Sequence, residues 1–211
     1  MKVDKLVSPK GYAQFPALKT PDTKFNTNGG DYRVTMRFPK DDPRLTKMLS
    51  AIGNVLDDFY ENDEKVKKAL SAGKKLVKGD YFEEWKDEEG NEWVDVKFKQ
   101  KAKITKKDGS TIDIHIPIFD SKGKPIDVDV GRDSVLKVCF VPVGYYTPST
   151  KIVGVTLRLT AVQVIELHTG GSGSAESYGF EEEEGYVSED DAPPFEPVES
   201  TDDLEEDRPD F

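Results

Sequence analysis

In several separate segments between Tyr32 and Leu167 an apolar residue returns at every second position, and this period of two strongly limits the fold. Successive side chains of a strand point to opposite faces, so each such segment reads as a half-buried strand. "DYRVTMRF" puts Tyr32, Val34, Met36 and Phe38 on one face and Arg33, Thr35 and Arg37 on the other. "WVDVKFKQKAKIT" is predicted as one strand, with Val94, Val96, Phe98, Ala102 and Ile104 facing a core. Its opposite face reads Trp93, Asp95, Lys97, Lys99, Lys101, Lys103. "KKDGS" follows as a hairpin turn, since Asp-Gly tolerates positive φ. "TIDIHIPI" then alternates through Ile112, Ile114, Ile116 and Ile118. "SVLKVCFVPV" and "IVGVTLRLTAVQVIEL" supply two more strands, with a bulge or bend expected at Gly154.

One helix interrupts the strands. "DDPRLTKMLSAIGNVLDDFYE" offers an Asp N-cap and Pro43 at the first helical position. Leu45, Met48, Leu49, Ile52, Val55, Leu56 and Phe59 form its apolar stripe. Residues 61–92 are rich in lysine and glutamate and show no assignable period. The expected fold is mainly β: an OB-fold, a five-stranded Greek-key barrel, with one covering α-helix and a disordered acidic C-terminal tail. A β-sandwich has the same periodicity.

Charge divides the chain. From Thr169 onward there are 16 Asp and Glu against Arg208 alone, a net −15. Subtraction from the whole leaves 29 Lys and Arg and 25 Asp and Glu for residues 1–168, about +4. "HTGGSGSAESYGF" marks the break with linker composition. The expected organisation is a binding domain at 1–168, a Gly/Ser-rich linker at 169–180 and an acidic disordered tail at 181–211 ending in Phe.

Enzyme chemistry has little support. The motifs G-x-x-x-x-G-K-[ST], G-x-S-x-G and H-E-x-x-H do not occur. His115 and His168 read as structural or solvated, Cys139 as core packing, and "DVDVGRD" lacks calcium-loop spacing. No enzyme activity, cofactor or metal is expected. Neither a membrane-length apolar run nor a signal-peptide core is present, so a soluble intracellular protein without membrane partners is expected.

The lysines at alternate positions would lie about 6.5–7 Å apart on one strand face, close to the phosphate spacing of extended single-stranded DNA. The alternative is a solvated strand face guarded by lysine. "PVGYYTPSTK" places Tyr145 and Tyr146 in a predicted loop beside Lys151, where rings can stack on bases. Tyr12, Phe15 and Trp93 are weaker stacking candidates. The candidate DNA-binding set is Arg33, Arg37, Lys97, Lys99, Lys101, Lys103, Tyr145, Tyr146 and Lys151. The acidic tail imitates a single strand in charge, and Phe211 supplies one stackable ring. At about 36 Å r.m.s. for its 43 residues, it can reach a basic groove on a body of roughly 15 Å radius of gyration.

The ordered set "GYAQF", "YRVTMRFPKDDPR", "VKFKQKAKITKKDG", "FDSKGKPIDV", "SVLKV", "VTLRLTAVQVIEL", "GYV" and the acidic "DF" ending resembles the replicative single-stranded DNA-binding proteins of podoviruses, the T-seven type. The resemblance implies an OB-fold dimer in the cytoplasm of an infected bacterial cell. It would coat single-stranded DNA in replication, recombination and repair, and promote strand annealing. Its tail would contact the phage DNA polymerase and primase-helicase, through Asp202, Asp203, Glu205, Glu206, Asp207, Asp210 and Phe211. By position, Arg33, Lys97 and Lys99 match basic residues of the family, and Tyr146 lies near an aromatic of the same loop. Two rivals stay open: a DNA mimic whose tail occupies a partner's groove, and a DNA-processing enzyme, which would need a carboxylate cluster for Mg²⁺.

Overall fold

The computed structural model describes residues 4–168 apart from Phe25 and Lys107. The linker at 169–180 and the acidic segment at 181–211, with Asp202, Asp203, Glu205, Glu206, Asp207, Asp210 and Phe211, lie outside the described residues. In chain order the elements are β1 (Leu6–Val7), β2 (Gly11–Asp22), β3 (Asp31–Pro39), α1 (Pro43–Asn62), α2 (Glu64–Ser71), β4 (Val77–Lys78) and β5 (Glu83–Lys86). They continue with β6 (Glu92–Lys101), β7 (Lys103–Thr105), β8 (Thr111–Asp113), β9 (Ile118–Phe119), β10 (Val135–Thr147) and β11 (Ile152–Glu166).

Five of these strands close into a ring. β2 pairs antiparallel with β3, and β3 with β6 along its whole length. The far end of β6 runs parallel to β11, joining Phe98 to Leu157 and Lys99 to Arg158. β11 forms a long antiparallel hairpin with β10, which returns to β2 at Val135↔Tyr12 and Leu136↔Gly11. Closure leaves the long strands without a free edge. β1, β4, β5 and β9 border the ring, and β7 with β8 makes a separate ribbon.

The alternation predicts the interior of β3 and β6. Tyr32, Val34, Met36 and Phe38 are buried, as are Val94, Val96 and Phe98. From the far wall come Leu136, Val138, Phe140, Leu157 and Leu159. The Phe98 and Phe140 rings meet edge to face with centroids 4.9 Å apart. Truncating either to alanine would cost about 3–5 kcal/mol.

α1 starts as expected, with the Asp42 carboxylate accepting from the Arg44 N–H and Pro43 opening the first turn. Leu45, Met48, Ile52 and Leu56 are buried, and the helix packs on β10 and β11. A Cβ on Gly144 would lie 2.2 Å from Cγ of Phe59, so only glycine admits this ring against β10. No helix among the described residues is long and apolar enough to cross a membrane.

Several expectations need correction. The covering helix is not single: Asp63 ends α1 and caps α2, its carboxylate accepting from the Lys65 and Val66 N–H groups. α2 buries only Val66 and Ala69, too few apolar positions to raise a stripe above the lysine and glutamate around them. The long lysine strand breaks at Ala102, whose N–H donates to Gly30 O and whose carbonyl accepts from Ile114 N–H. That bend shifts the alternation, so Ile104 and Ile112, expected in the core, are each 39% exposed. Gly154 is not a bulge, since it pairs in register with Tyr145; the irregularities fall at Val135/Leu136 and Cys139/Phe140. Cys139 is half-buried, on the outward parity of β10 between the buried Val138 and Phe140.

Candidate nucleic-acid interface

The odd-numbered positions of β6 face outward from the ring. Lys97, Lys99 and Lys101 are exposed there, and β3 sets Thr35 opposite Lys97 and Arg33 opposite Lys99. On the other flank, the parallel register with β11 brings the exposed Arg158 beside Lys99. Neither Lys99, Lys101 nor Arg158 forms an ion pair with a described residue, and Lys97 reaches only Glu83, at 3.7 Å between two exposed side chains. Such an exposed pair is worth well under about 1 kcal/mol and would yield readily to a phosphate.

Tyr145 completes this face. It lies within β10, not in a loop, and is 41% exposed. Its ring crosses Gly154 on β11, where a Cβ would fall 2.5 Å from Cζ and Oη. Glycine thus provides the flat floor on which the ring rests. Two clefts of about 550 and 510 Å³ flank this ring and share Lys99, Tyr145 and Thr156. The first also has Asp80, Glu83 and Asp95 on its walls, which makes it mixed in charge. The second is lined by Lys99, Lys101 and Arg158 against Asp31 alone among carboxylates, and is the better match for a phosphodiester backbone.

The remaining candidates separate. Arg33 is salt-bridged to Asp22 at the edge of the face. Arg37 donates through Nε and one terminal nitrogen to both Asp95 oxygens, each at 3.0 Å, and its Cζ sits 4.1 Å from the Trp85 ring. This arginine is held by a carboxylate and a ring. Lys103 leaves the stripe with the bend at Ala102: its aliphatic stem covers Gly29 and its ammonium lies 3.8 Å from Asp113. Tyr146 faces the opposite way from Tyr145 and packs with Leu56, Val66 and Val153 beneath the helices, where its hydroxyl is buried without a partner among the described residues. Adjacent residues of one strand must point to opposite faces, so only one of the two tyrosines can reach the lysines. Lys151 is exposed in the β10–β11 turn at φ +58°, its carbonyl accepting from Val77 N–H.

Arg158 escaped the sequence reading. Its strand registers as mostly apolar, and no local signal shows that β11 runs alongside β6. Toward the start of β6 the same outward face becomes aromatic. Trp93 stacks on Trp85 at 6.4 Å and meets Tyr12 edge-on at 6.1 Å. The Trp93 indole N–H donates to Asp87 at 2.9 Å. That bond, with the Asn91 side chain, lowers the Asp87 carboxyl to about 2.

Among the described residues no set of three His, Cys, Asp or Glu side chains is placed to hold a metal ion. His115 Nδ1 lies 3.5 Å from the Tyr32 hydroxyl. The His168 main chain bonds the Ser134 hydroxyl in both directions, which fastens the end of the described segment to the start of β10.

Residues 6–167 match the family described as "Single-stranded DNA-binding protein, Bacteriophage T7". The single-stranded DNA-binding protein of Escherichia phage T7 is 32% identical over 192 residues, covering 85% of this chain and 81% of that protein. The crystal structure of gp2.5, a single-stranded DNA binding protein encoded by bacteriophage T7, superposes with a TM-score of 0.67 at 28% identity, over 88% of this chain and 99% of that one. A single-stranded DNA-binding protein from bacteriophage Enc34, in complex with ssDNA, shares the fold at 10% identity, with a TM-score of 0.55 over 79% of this chain and 89% of that one. By a family match that spans every strand of the ring, and by a relative aligned over most of both lengths, the chain belongs to the bacteriophage T7 family of single-stranded DNA-binding proteins.

Proposed function

We propose that this protein coats single-stranded DNA without sequence preference, along the outward face of β6 and β11. As a member of its family it is a binding protein and not an enzyme. The observation that carries the reading is the convergence of Lys97, Lys99, Lys101 and Arg158 around the half-exposed Tyr145 ring. Cations spaced along a strand hold phosphates of any sequence, and a ring stacks on any base. Arg33 and Lys151 extend the basic surface at its borders, and Arg37 acts by orienting the aromatic end. Lys103 and Tyr146 contribute least, being turned toward Asp113 and the helices. The order β2–β3–β6–β11–β10, closing on β2, supports an OB-type five-stranded barrel.

The wider role we infer is phage replication and recombination in the bacterial cytoplasm, with strand annealing and a homodimer. The acidic segment at 181–211 would recruit polymerase and primase-helicase through Asp202, Asp203, Glu205, Glu206, Asp207, Asp210 and Phe211. Its charge supports competition with DNA for the lysine face. Anisotropy of labelled oligo(dT) against the full chain and a truncation at His168 tests both ideas. Tighter binding by the truncation, with a log–log salt slope near −0.7 per phosphate contact, is expected. No binding by either form would overturn the single-strand reading and leave the acidic segment as a mimic for another protein's groove.

A further inference from the structure

Phe15 is the most exposed large apolar residue among the described residues, at 68%. Its φ of +51° is left-handed, a conformation that a phenylalanine followed by Pro16 adopts only under constraint. The constraint is visible. β2 is irregular between Gln14 and Ala17, and Gln14, 1% exposed, fastens that irregularity to the segment before β10. Its Nε2 donates to Asp133 Oδ1 at 2.6 Å, and its Oε1 accepts from Arg132 Nε at 3.0 Å. Asp133, itself at φ +65°, donates its N–H to Ala13 O at 2.7 Å, and Ala13 donates to Ser134 O at 2.9 Å.

The outcome of this clamp is a ring and a cation held out together. Arg132 Cζ lies 5.9 Å from the Phe15 ring centroid, and the Arg132 side chain is 63% exposed. Among the described residues its ion-pair partner is Asp133, at 3.6 Å. Backbone strain held in place by the buried Gln14 and ending in a solvent-facing ring is of the kind that clusters at ligand-binding sites. It also has a location. Gln14 pairs with Thr35 on β3, and Thr35 pairs with Lys97 on β6, so the clamp lies on the same row as the lysine face. Two strand spacings put β2 about 10 Å from β6.

We propose that Phe15 and Arg132 form a second stacking subsite for single-stranded DNA, with the ring taking a base and the guanidinium a flanking phosphate. The strand would run from Tyr145 over the β6 lysines, across β3, to Phe15, a few nucleotides further on. This inference rests on the lysine face being the DNA path. The same chemistry suits both ends, because stacking on an aromatic ring beside a cation accepts any base.

The test is equilibrium binding of the full chain to oligo(dT) of about 4 to about 16 nucleotides, spanning the range of OB-fold site sizes. Phe15→Ala should leave the shortest bound oligonucleotide unchanged and weaken the longer ones about tenfold, with Phe15→Tyr restoring them. Arg132→Ala should reduce the salt slope for the longer oligonucleotides by about 0.7, one contact. Unchanged affinity of Phe15→Ala at every length would overturn the subsite while leaving the lysine face intact. Equal loss at every length would place Phe15 inside the primary groove and overturn the extended path. Failure of the unaltered protein to bind any of them would overturn the lysine-face reading, and the subsite with it.

Discussion

The two halves of β6 present the same outward face and do opposite things with their charge. Toward its end, Lys99 and Lys101 stand beside Arg158 without a carboxylate partner among the described residues. Toward its start, Trp93 and Asp95 are packed with Trp85, Tyr12 and Arg37, and the cations there are already paired, Arg37 with Asp95 and both Lys40 and Lys86 with Glu92. Alternating lysines and an alternating Trp–Asp look alike as a period. The difference lies in what the neighbouring strands bring: β11 adds a cation, whereas β5 and β3 add a ring and an ion pair.

If the basic half is the DNA path, Lys99→Glu combined with Lys101→Glu should weaken oligo(dT) binding about a hundredfold at low salt and lower the salt slope by about 1.4, two contacts. A smaller loss would move the path elsewhere. Next in size, Gly154→Ala should push the Tyr145 ring off its floor and cost about tenfold in affinity, within the range of one stacked base. Combined with Tyr145→Ala it should add nothing further, and additive losses in that double-mutant cycle would show that Gly154 does not act through the ring.

The aromatic half should respond in stability and not in affinity. Arg37→Ala leaves Asp95 half-buried without its partner and should destabilise the fold by about 1–3 kcal/mol in urea, while Kd changes by no more than about threefold. A large loss of affinity with unchanged stability would put Arg37 on the phosphates after all. The smallest effect concerns acid. The Trp93 and Asn91 bonds hold the folded Asp87 carboxyl at about 2, below its ordinary value of 3.8, so they stabilise the fold at pH above about 4. That contribution is lost as pH falls toward 2. Asp87→Ala should therefore be less stable than the unaltered protein at neutral pH, with the gap narrowing between pH 4 and 2, read by tryptophan fluorescence. A gap independent of pH would assign the effect to packing.

Local order made much of this legible in advance. Tyr32, Val34, Met36 and Phe38, with Val94, Val96 and Phe98, were placed by period alone, because a pleated strand fixes alternate faces whatever it pairs with. Asp42 and Pro43 marked the start of α1 because capping needs only neighbouring residues. Errors began where a local rule depends on a distant partner. Lys103 leaves the lysine stripe and Ile104 the core because Gly30 and Ile114 bond Ala102 and bend the chain there. A glycine within a strand suggests a bulge or bend, yet Gly154 serves as the floor for a ring on the adjacent strand.

By itself, then, the order of residues determined which side chains could share a face, where the first helix began, and how the charge divides between 1–168 and 169–211. Closure of the ring decided the rest. It brought Arg158 to Lys99, turned Tyr145 toward the lysines and Tyr146 under the helices, and committed Arg37 to Asp95. Periodicity is a property of a single strand, whereas pairing, burial and charge compensation belong to strands far apart in sequence, and only their packing makes a cation available or takes it out of use.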